Sequence, residues 1–271
     1  MSPVSFCSAT LSHIGKVRKL NEDAYLERPD LGLWVVADGM GGHSAGDVAS
    51  QLIVNTLNKL VKPQQTLAAF ISTIEEDLQA VNQELVAMGR ERHQIIGSTV
   101  VALLVHGQQC AYLWAGDSRA YLFREDTLTQ LSSDHSQVEL YVQLGILTRE
   151  EAVTHPSSNL ILRAIGAEEH LSVESQVLDL QPNDRYLLCS DGLYKHVGDA
   201  ELARFLGLGS AAQVARALVD AALAGGGSDN ITVSIIDIRP SSPQGYAAEE
   251  SMYNDDLELT IPYLTSPSLG A

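Results

Sequence analysis

Six acids stand where an apolar run stops or where glycine frees the backbone. Asp38 closes the apolar run 33–37 and is followed by Gly39. Asp191 precedes Gly192, Asp229 follows the three glycines 225–227, and Asp117 lies between Gly116 and Ser118. Glu22 and Asp23 precede the short strand-like segment 24–26. Strand ends beside glycine are exposed and their backbone is accessible. Acids placed there by distant segments can converge, whereas a solvated helix face would scatter them. Converging carboxylates repel unless they are protonated or hold a cation. Oxygen donors of this kind suit a hard divalent ion that keeps some of its waters, Mg2+ or Mn2+. One Asp-Gly pair alone is what an ordinary turn uses; the repetition is what points to a metal.

Other chemistries fit less well. Cys7, Cys110 and Cys189 are odd in number, far apart and each in an apolar run. They have no zinc spacing, and none has an arginine six residues later, as a thiol phosphatase requires. We read them as small core residues. The segment from Gly39 mimics a dinucleotide fingerprint after a strand, but Ser44 stands where its last glycine belongs. The acid needed about 20 residues on is also missing, because Asn58, Lys59 and Leu60 are there. Neither a Walker A loop nor a GxSxG elbow is present.

The elements that must position the acids follow from hydrophobic period. Residues 4–14 alternate as a strand, and 33–37 read as a buried strand ending at Asp38. Residues 44–61 and 66–88 carry apolar residues at helical spacing. Residues 98–105, 109–115 and 118–124 predict three strands with tight turns, an antiparallel meander. Segments 136–144 and 149–153 predict short helices inside a polar stretch, 132–158, read as a mobile insertion. Segments 171–180 and 184–189 predict strands, 201–206 and 211–223 helices, and 231–238 a last strand. Strands, two helices, strands, then helices and a strand make an α+β chain, with two antiparallel sheets packed together and helices outside.

Charge narrows the partners. The 271 residues carry 34 acidic and 17 basic side chains, a formal charge of −17. That excess argues against nucleic acid, which is held by lysine and arginine. No apolar run reaches membrane-spanning length, and the start shows no signal peptide, so a cytoplasmic protein is expected. Residues 240–271 hold Glu249, Glu250, Asp255, Asp256 and Glu258 with no Lys or Arg. This reads as a disordered acidic tail after a globular domain over 1–239. The tail is either an unselected end or, through Tyr246, Tyr253 and the segment 257–263, a docking or inhibitory element.

Seven segments in order carry a resemblance over about residues 5–238. They are 15–25 (GKVRKLNEDAY), 36–49 (VADGMGGHSAGDVA), 97–99 (GST), 115–121 (AGDSRAY), 162–166 (LRAIG), 187–193 (LLCSDGL) and 227–233 (GSDNITV). The sequence resembles the PP2C-type metal-dependent Ser/Thr protein phosphatases in their compact bacterial form. The resemblance implies an αββα sandwich with a binuclear metal centre at one end of the sheets. Asp38 would bridge two metals, and the Gly39 carbonyl would ligate one of them. Asp191 and Asp229 would complete the first metal's set, and Glu22 and Asp23 would lie on the second metal's side. Asp117 with Asp191 matches a third, weaker site, and Arg18 matches the arginine that holds the substrate phosphate. A hydroxide held between two Mg2+ or Mn2+ ions would then attack phosphorus directly, with no phosphoenzyme.

The resemblance leaves the general acid open. Met40 stands where eukaryotic relatives have histidine. His43, three residues later, either protonates the leaving oxygen or orders the loop before the helix. Segment 132–166 corresponds to a flap beside the metals, with His135, His155 and Arg163 as candidates or as structural residues. The implied activity is hydrolysis of phosphoserine and phosphothreonine in proteins by a monomer opposing a bacterial Ser/Thr kinase, itself a candidate substrate. A phosphatase-like binding module without turnover is the rival, and intact acids at 38, 191 and 229 argue against it.

Overall fold

The computed structural model describes residues 5–41, 45–61 and 65–239. His43 and the expected tail 240–271 lie outside the described residues. In chain order the elements begin with β1 (Ser5–His13), β2 (Asp23–Arg28), β3 (Leu33–Gly41), α1 (Gly46–Leu57) and α2 (Leu67–Arg92). Next come β4 (Ile96–Ser98), β5 (Val100–His106), β6 (Gln109–Ala115), β7 (Arg119–Arg124) and β8 (Thr127–Gln130). Segment 132–166 supplies α3 (Gln137–Gln143) and α4 (Arg149–Thr154). The chain then forms β9 (Glu174–Asp179), β10 (Arg185–Cys189), α5 (Asp191–Tyr194), α6 (Asp199–Leu206), α7 (Ala211–Ala224) and β11 (Ile231–Arg239).

Two antiparallel sheets result. One has the order β1-β11-β10-β7-β8, the other β2-β3-β5-β6-β9, with β4 paired to β3. Alternation along the strands separates three apolar layers. Leu33, Val35 and Ala37 of β3 face α1 and α2, packing with Ile53, Leu57, Ile74 and Leu78. Trp34 and Val36, one residue out of phase, face the other sheet and meet Tyr186, Leu188 and Ile236. On that sheet's outer face Leu187, Val233 and Ile235 pack against Leu218 and Val219 of α7. This is the αββα sandwich, produced by period-two strands buried on both faces. Helix α2 starts where Thr66 accepts a hydrogen bond from Ala69 N at 3.1 Å.

Three expectations need correction, and two short elements, β8 and α5, go unpredicted. The predicted meander over 98–124 does not form one sheet: β5 and β6 pair with each other, while β7 pairs with β10 and β8. The reason sits at Gly116, whose φ of +117° lets the chain turn across to the other sheet. A Cβ there would meet Thr99 Cβ at 2.6 Å. Strand β3 does not stop at residue 37 but runs through Asp38 to Gly41, because β4 pairs with its last three residues. Strand β8 and the single turn α5 carry too short a pattern to be read from periodicity. Cys110 and Cys189 are buried as expected, whereas Cys7 is only half-buried on the edge strand β1. Among the described residues no helix is long and apolar enough to cross a membrane.

Candidate metal centre

The acids gather because the strands that carry them end at the same end of the sandwich. In the β2–β3 pair, Asp23 lies directly across from Asp38, so their side chains share one face of the ladder. Asp38 is fixed through its backbone. Its N–H donates to Thr99 Oγ1 at 3.1 Å, and its carbonyl accepts from Thr99 N at 2.8 Å and Ser98 Oγ at 3.0 Å. Thr99 Oγ1 also lies 2.7 Å from Ser118 Oγ. One threonine thus links Asp38 to the crossover turn that carries buried Asp117. Gly39 has no room for a side chain: a Cβ would stand 2.0 Å from Gly46 O and 2.7 Å from Glu22 O. Only glycine lets β3, the start of α1 and Glu22 approach this closely.

The other sheet contributes through β10 and β11, which pair with Cys189 opposite Val233. Asp191 follows the end of β10, and Asp229 precedes the start of β11. Asp23 joins the two sheets. Its Oδ2 accepts from Ser190 Oγ at 2.8 Å and Thr232 Oγ1 at 2.7 Å. Asn230 holds the loop between β1 and β2 against β11. Its Nδ2 donates to Ile14 O and Leu20 O, both at 2.9 Å, and its Oδ1 accepts from Glu22 N at 2.8 Å. That loop carries Arg18, whose guanidinium donates to Asp229 Oδ2 at 2.8 Å. The Glu22 carboxylate lies against Gly46 at the start of α1, where an added Cβ would stand 2.6 Å from its Oε1.

The electrostatics are those of a site with too much negative charge. The Asp38 carboxyl is held well above the usual range by lost hydration, then by Asp23, Asp191, Asp117 and Asp229. Burial, opposed by its two hydroxyl donors, pushes Asp23 up to about 7. Burial and the charge of Asp191 push Asp117 up to about 7. Two buried carboxylate oxygens, Asp23 Oδ1 and Asp191 Oδ1, have no hydrogen-bond partner among the described residues. Buried orphan oxygens are costly. Here they sit among other hard oxygen donors, a set that fits Mg2+ or Mn2+. Two side-chain cations among the described residues pair with these acids: Arg18 on Asp229 and Lys195 on Asp191. Among the described residues no three His, Cys, Asp or Glu side chains are drawn to one point as a finished metal cage.

The structure therefore brings together Arg18, Glu22, Asp23, Asp38, Gly39, Asp117, Asp191 and Asp229. The flap candidates have structural partners. His135 is buried, stacks on Trp114 with ring centroids 5.9 Å apart, and accepts from Gly116 N at 3.2 Å. Burial lowers its pKa, and its Nε2 lies 3.2 Å from Glu174 Oε1. Arg163 pairs with the same Glu174 oxygen at 2.6 Å. His155 accepts from Ser157 N at 3.2 Å. Sequence reasoning missed Thr99, Ser190, Thr232, Asn230 and Lys195 as individuals. Four of them, Thr99, Ser190, Asn230 and Thr232, lie inside the quoted motifs, which was the one available signal.

Comparison with known proteins agrees with this geometry. The family model "Protein phosphatase 2C" matches residues 12–223. The serine/threonine phosphatase stp of Listeria innocua is 36% identical over 232 residues, covering 82% of this chain and 92% of that protein. The solved structure of PppA, a key regulatory component of T6SS in Pseudomonas aeruginosa, superposes with a TM-score of 0.81 at 41% identity. It covers 87% of this chain and 99% of its own. The catalytic domain of the serine/threonine protein phosphatase PstP, solved in complex with two manganese ions, gives a TM-score of 0.80 at 35% identity. There the match covers 88% of this chain and 100% of that one. Sandwich, acid constellation and relatives converge: the chain belongs to the protein phosphatase 2C family.

Proposed function

We propose that this chain is a Mg2+- or Mn2+-dependent phosphatase that hydrolyses phosphoserine and phosphothreonine in proteins. The observation that carries this reading is the set of five aspartates at one end of the sandwich, with two buried oxygens left without partners among the described residues. Asp38, the Gly39 carbonyl, Asp191 and Asp229 would hold the metal pair, with Glu22 and Asp23 on the second ion's side. The chemistry a bound pair supplies is water activation at neutral pH and charge neutralisation at phosphoryl oxygens.

The chain's own residues do the rest. Arg18 is exposed at the rim, and Asp229 aims its guanidinium across the site. A guanidinium has five donors, so Arg18 can hold phosphoryl oxygens while Asp229 orients it. Asn230 fixes the loop that carries Arg18, setting where the phosphate rests. Asp23 and Thr99 hold the two sheets and the crossover turn in register, so that Asp38 does not drift from Asp191. His43 is the candidate for protonating the leaving hydroxyl oxygen.

In this reading residues 1–239 form the phosphatase domain, 132–166 its flap, and 240–271 an acidic tail. The enzyme is a cytoplasmic monomer that opposes a Ser/Thr kinase and binds neither nucleic acid nor membrane. The test is hydrolysis of p-nitrophenyl phosphate and of a phosphothreonine peptide with and without Mn2+, in wild type and Asp191→Ala. Turnover that needs Mn2+ and collapses in the variant is expected. Metal-independent turnover would refute the mechanism, and metal binding without turnover would favour a phosphoprotein-binding module. Phosphoproteomics of cells carrying Asp38→Ala would identify the substrates, and a kinase absent from the accumulated phosphoproteins would remove it from the list.

A further inference from the structure

Lys195 stands one helical turn after Asp191, and its ammonium pairs with Asp191 Oδ2. The same ammonium donates to Asn159 Oδ1 at 2.7 Å, so it joins the flap to the acid cluster. The two oxygens of Asp191 therefore differ: Oδ2 is occupied by Lys195, while Oδ1 is buried with no partner among the described residues. Asp117 is tied to the residue before Lys195, because the Tyr194 hydroxyl donates to Asp117 O at 3.0 Å, and its carboxyl feels both the negative charge of Asp191 and the positive charge of Lys195. Lys195 in turn feels Asp191, Asp117 and Asp229, and its side chain is about one-third exposed. The region between Asp117 and Asp191 is where the family resemblance puts a third, weaker metal ion.

We propose that the Lys195 ammonium takes the place of that third cation, so that this chain binds two divalent ions where the resemblance allows three. This rests on the metal-dependent reading above. A lysine ammonium is a compact, strongly hydrated point charge with three donors. It neutralises one charge of the Asp117–Asp191 pair and repels a divalent ion brought beside it. It also leaves Asp191 Oδ1, the orphan oxygen, for the metal pair. Because the cation is part of the chain, the link from Asn159 to the centre needs no bound ion.

The test counts metal rather than rate. Metal-free protein is titrated with Mn2+ and free ion is read by electron paramagnetic resonance, for wild type, Lys195→Met, Lys195→Arg, Asp117→Asn and the Lys195→Met/Asp117→Asn double variant. Two ions are expected in wild type, in Lys195→Arg and in Asp117→Asn. Three are expected in Lys195→Met, with the extra ion lost in the double variant. Three ions in wild type, falling to two in Asp117→Asn, would overturn the proposal, as would no gain in a folded Lys195→Met. If Lys195→Met does not fold, the wild type and Asp117→Asn counts still decide the matter. A wild type that binds no Mn2+ would overturn the metal-dependent reading itself, a result distinguishable from a count of three.

Discussion

The slab between the two sheets and the end where the acids meet are built from the same strands, yet they are held differently. In the slab, β3 contributes Trp34 and Val36, fully buried against Tyr186, Leu188 and Ile236. Two residues beyond Val36 the same strand carries Asp38, surrounded by other acids. The slab is stabilised by apolar surface removed from water, a force without direction. The acid end is held by directed bonds, such as Asn230 to Glu22 and Asp23 to Thr232, each joining residues more than 200 positions apart. Burying like charges there opposes folding, so the slab supplies the stability that the site consumes.

Breaking the slab is expected to have the largest effect, and on stability alone. Trp34→Ala removes a fully buried indole that meets Phe6 edge-on with centroids 5.2 Å apart. It should cost about 3–5 kcal/mol in denaturant unfolding, with Mn2+-dependent hydrolysis per folded molecule retained. A matching loss of turnover would show that slab and site are not separable. Next is Asp38→Asn, which should lower kcat by about 10²–10³-fold. It should leave the metal-free melting temperature unchanged or raised, since a repelling charge is gone.

The third effect is in pH. Asp23 and Asp117 titrate near 7 in the folded chain, against about 4 when unfolded. The folded state thus holds protons that the unfolded state has released. Stability from this source is present below about pH 4 and is lost as pH rises through 7. The metal-free melting temperature should fall between pH 5 and 8, measured calorimetrically. Added Mn2+, which replaces those protons, should raise it more at pH 8 than at pH 5. A flat profile would mean that the acid end carries no net repulsion. The smallest effect is expected far from the acids, at the β5–β6 turn. Gly107 has a φ of +64° with nothing within 4 Å of an added Cβ. Gly107→Ala should cost about 1–2 kcal/mol of backbone strain and leave hydrolysis untouched.

The slab was far more legible in the sequence than the end. Period-two and period-3.6 patterns placed most strands and helices, because burial acts on each segment locally. Sheet membership was not legible. The turns at Gly107 and at Gly116 both read as tight hairpin-like connections, yet one keeps the chain in its sheet and the other sends it across. The difference lies in Thr99 pressing on Gly116, a contact that local spacing does not encode. The acids were visible by their glycine neighbours, and the motif resemblance supplied their roles. Their supports were not visible, because Ser190, Thr232 and Asn230 act on Asp23 and Glu22 from the far end of the sequence.

The pairing of β1 with β11 along nine residues has a consequence for how the protein comes into being. The sheet order places β11 between β1 and β10, so the strand made latest among the described residues is an interior one. On the ribosome the other sheet, β2 to β9, can assemble while β1 waits without a neighbour. Only when β11 emerges can β1 dock, and Asp229 and Asn230 arrive with it. Such long-range closure is slow and comes late. Catalytic competence therefore waits for β11, and a chain made only as far as β10 has no working site with which to strip phosphate from its neighbours.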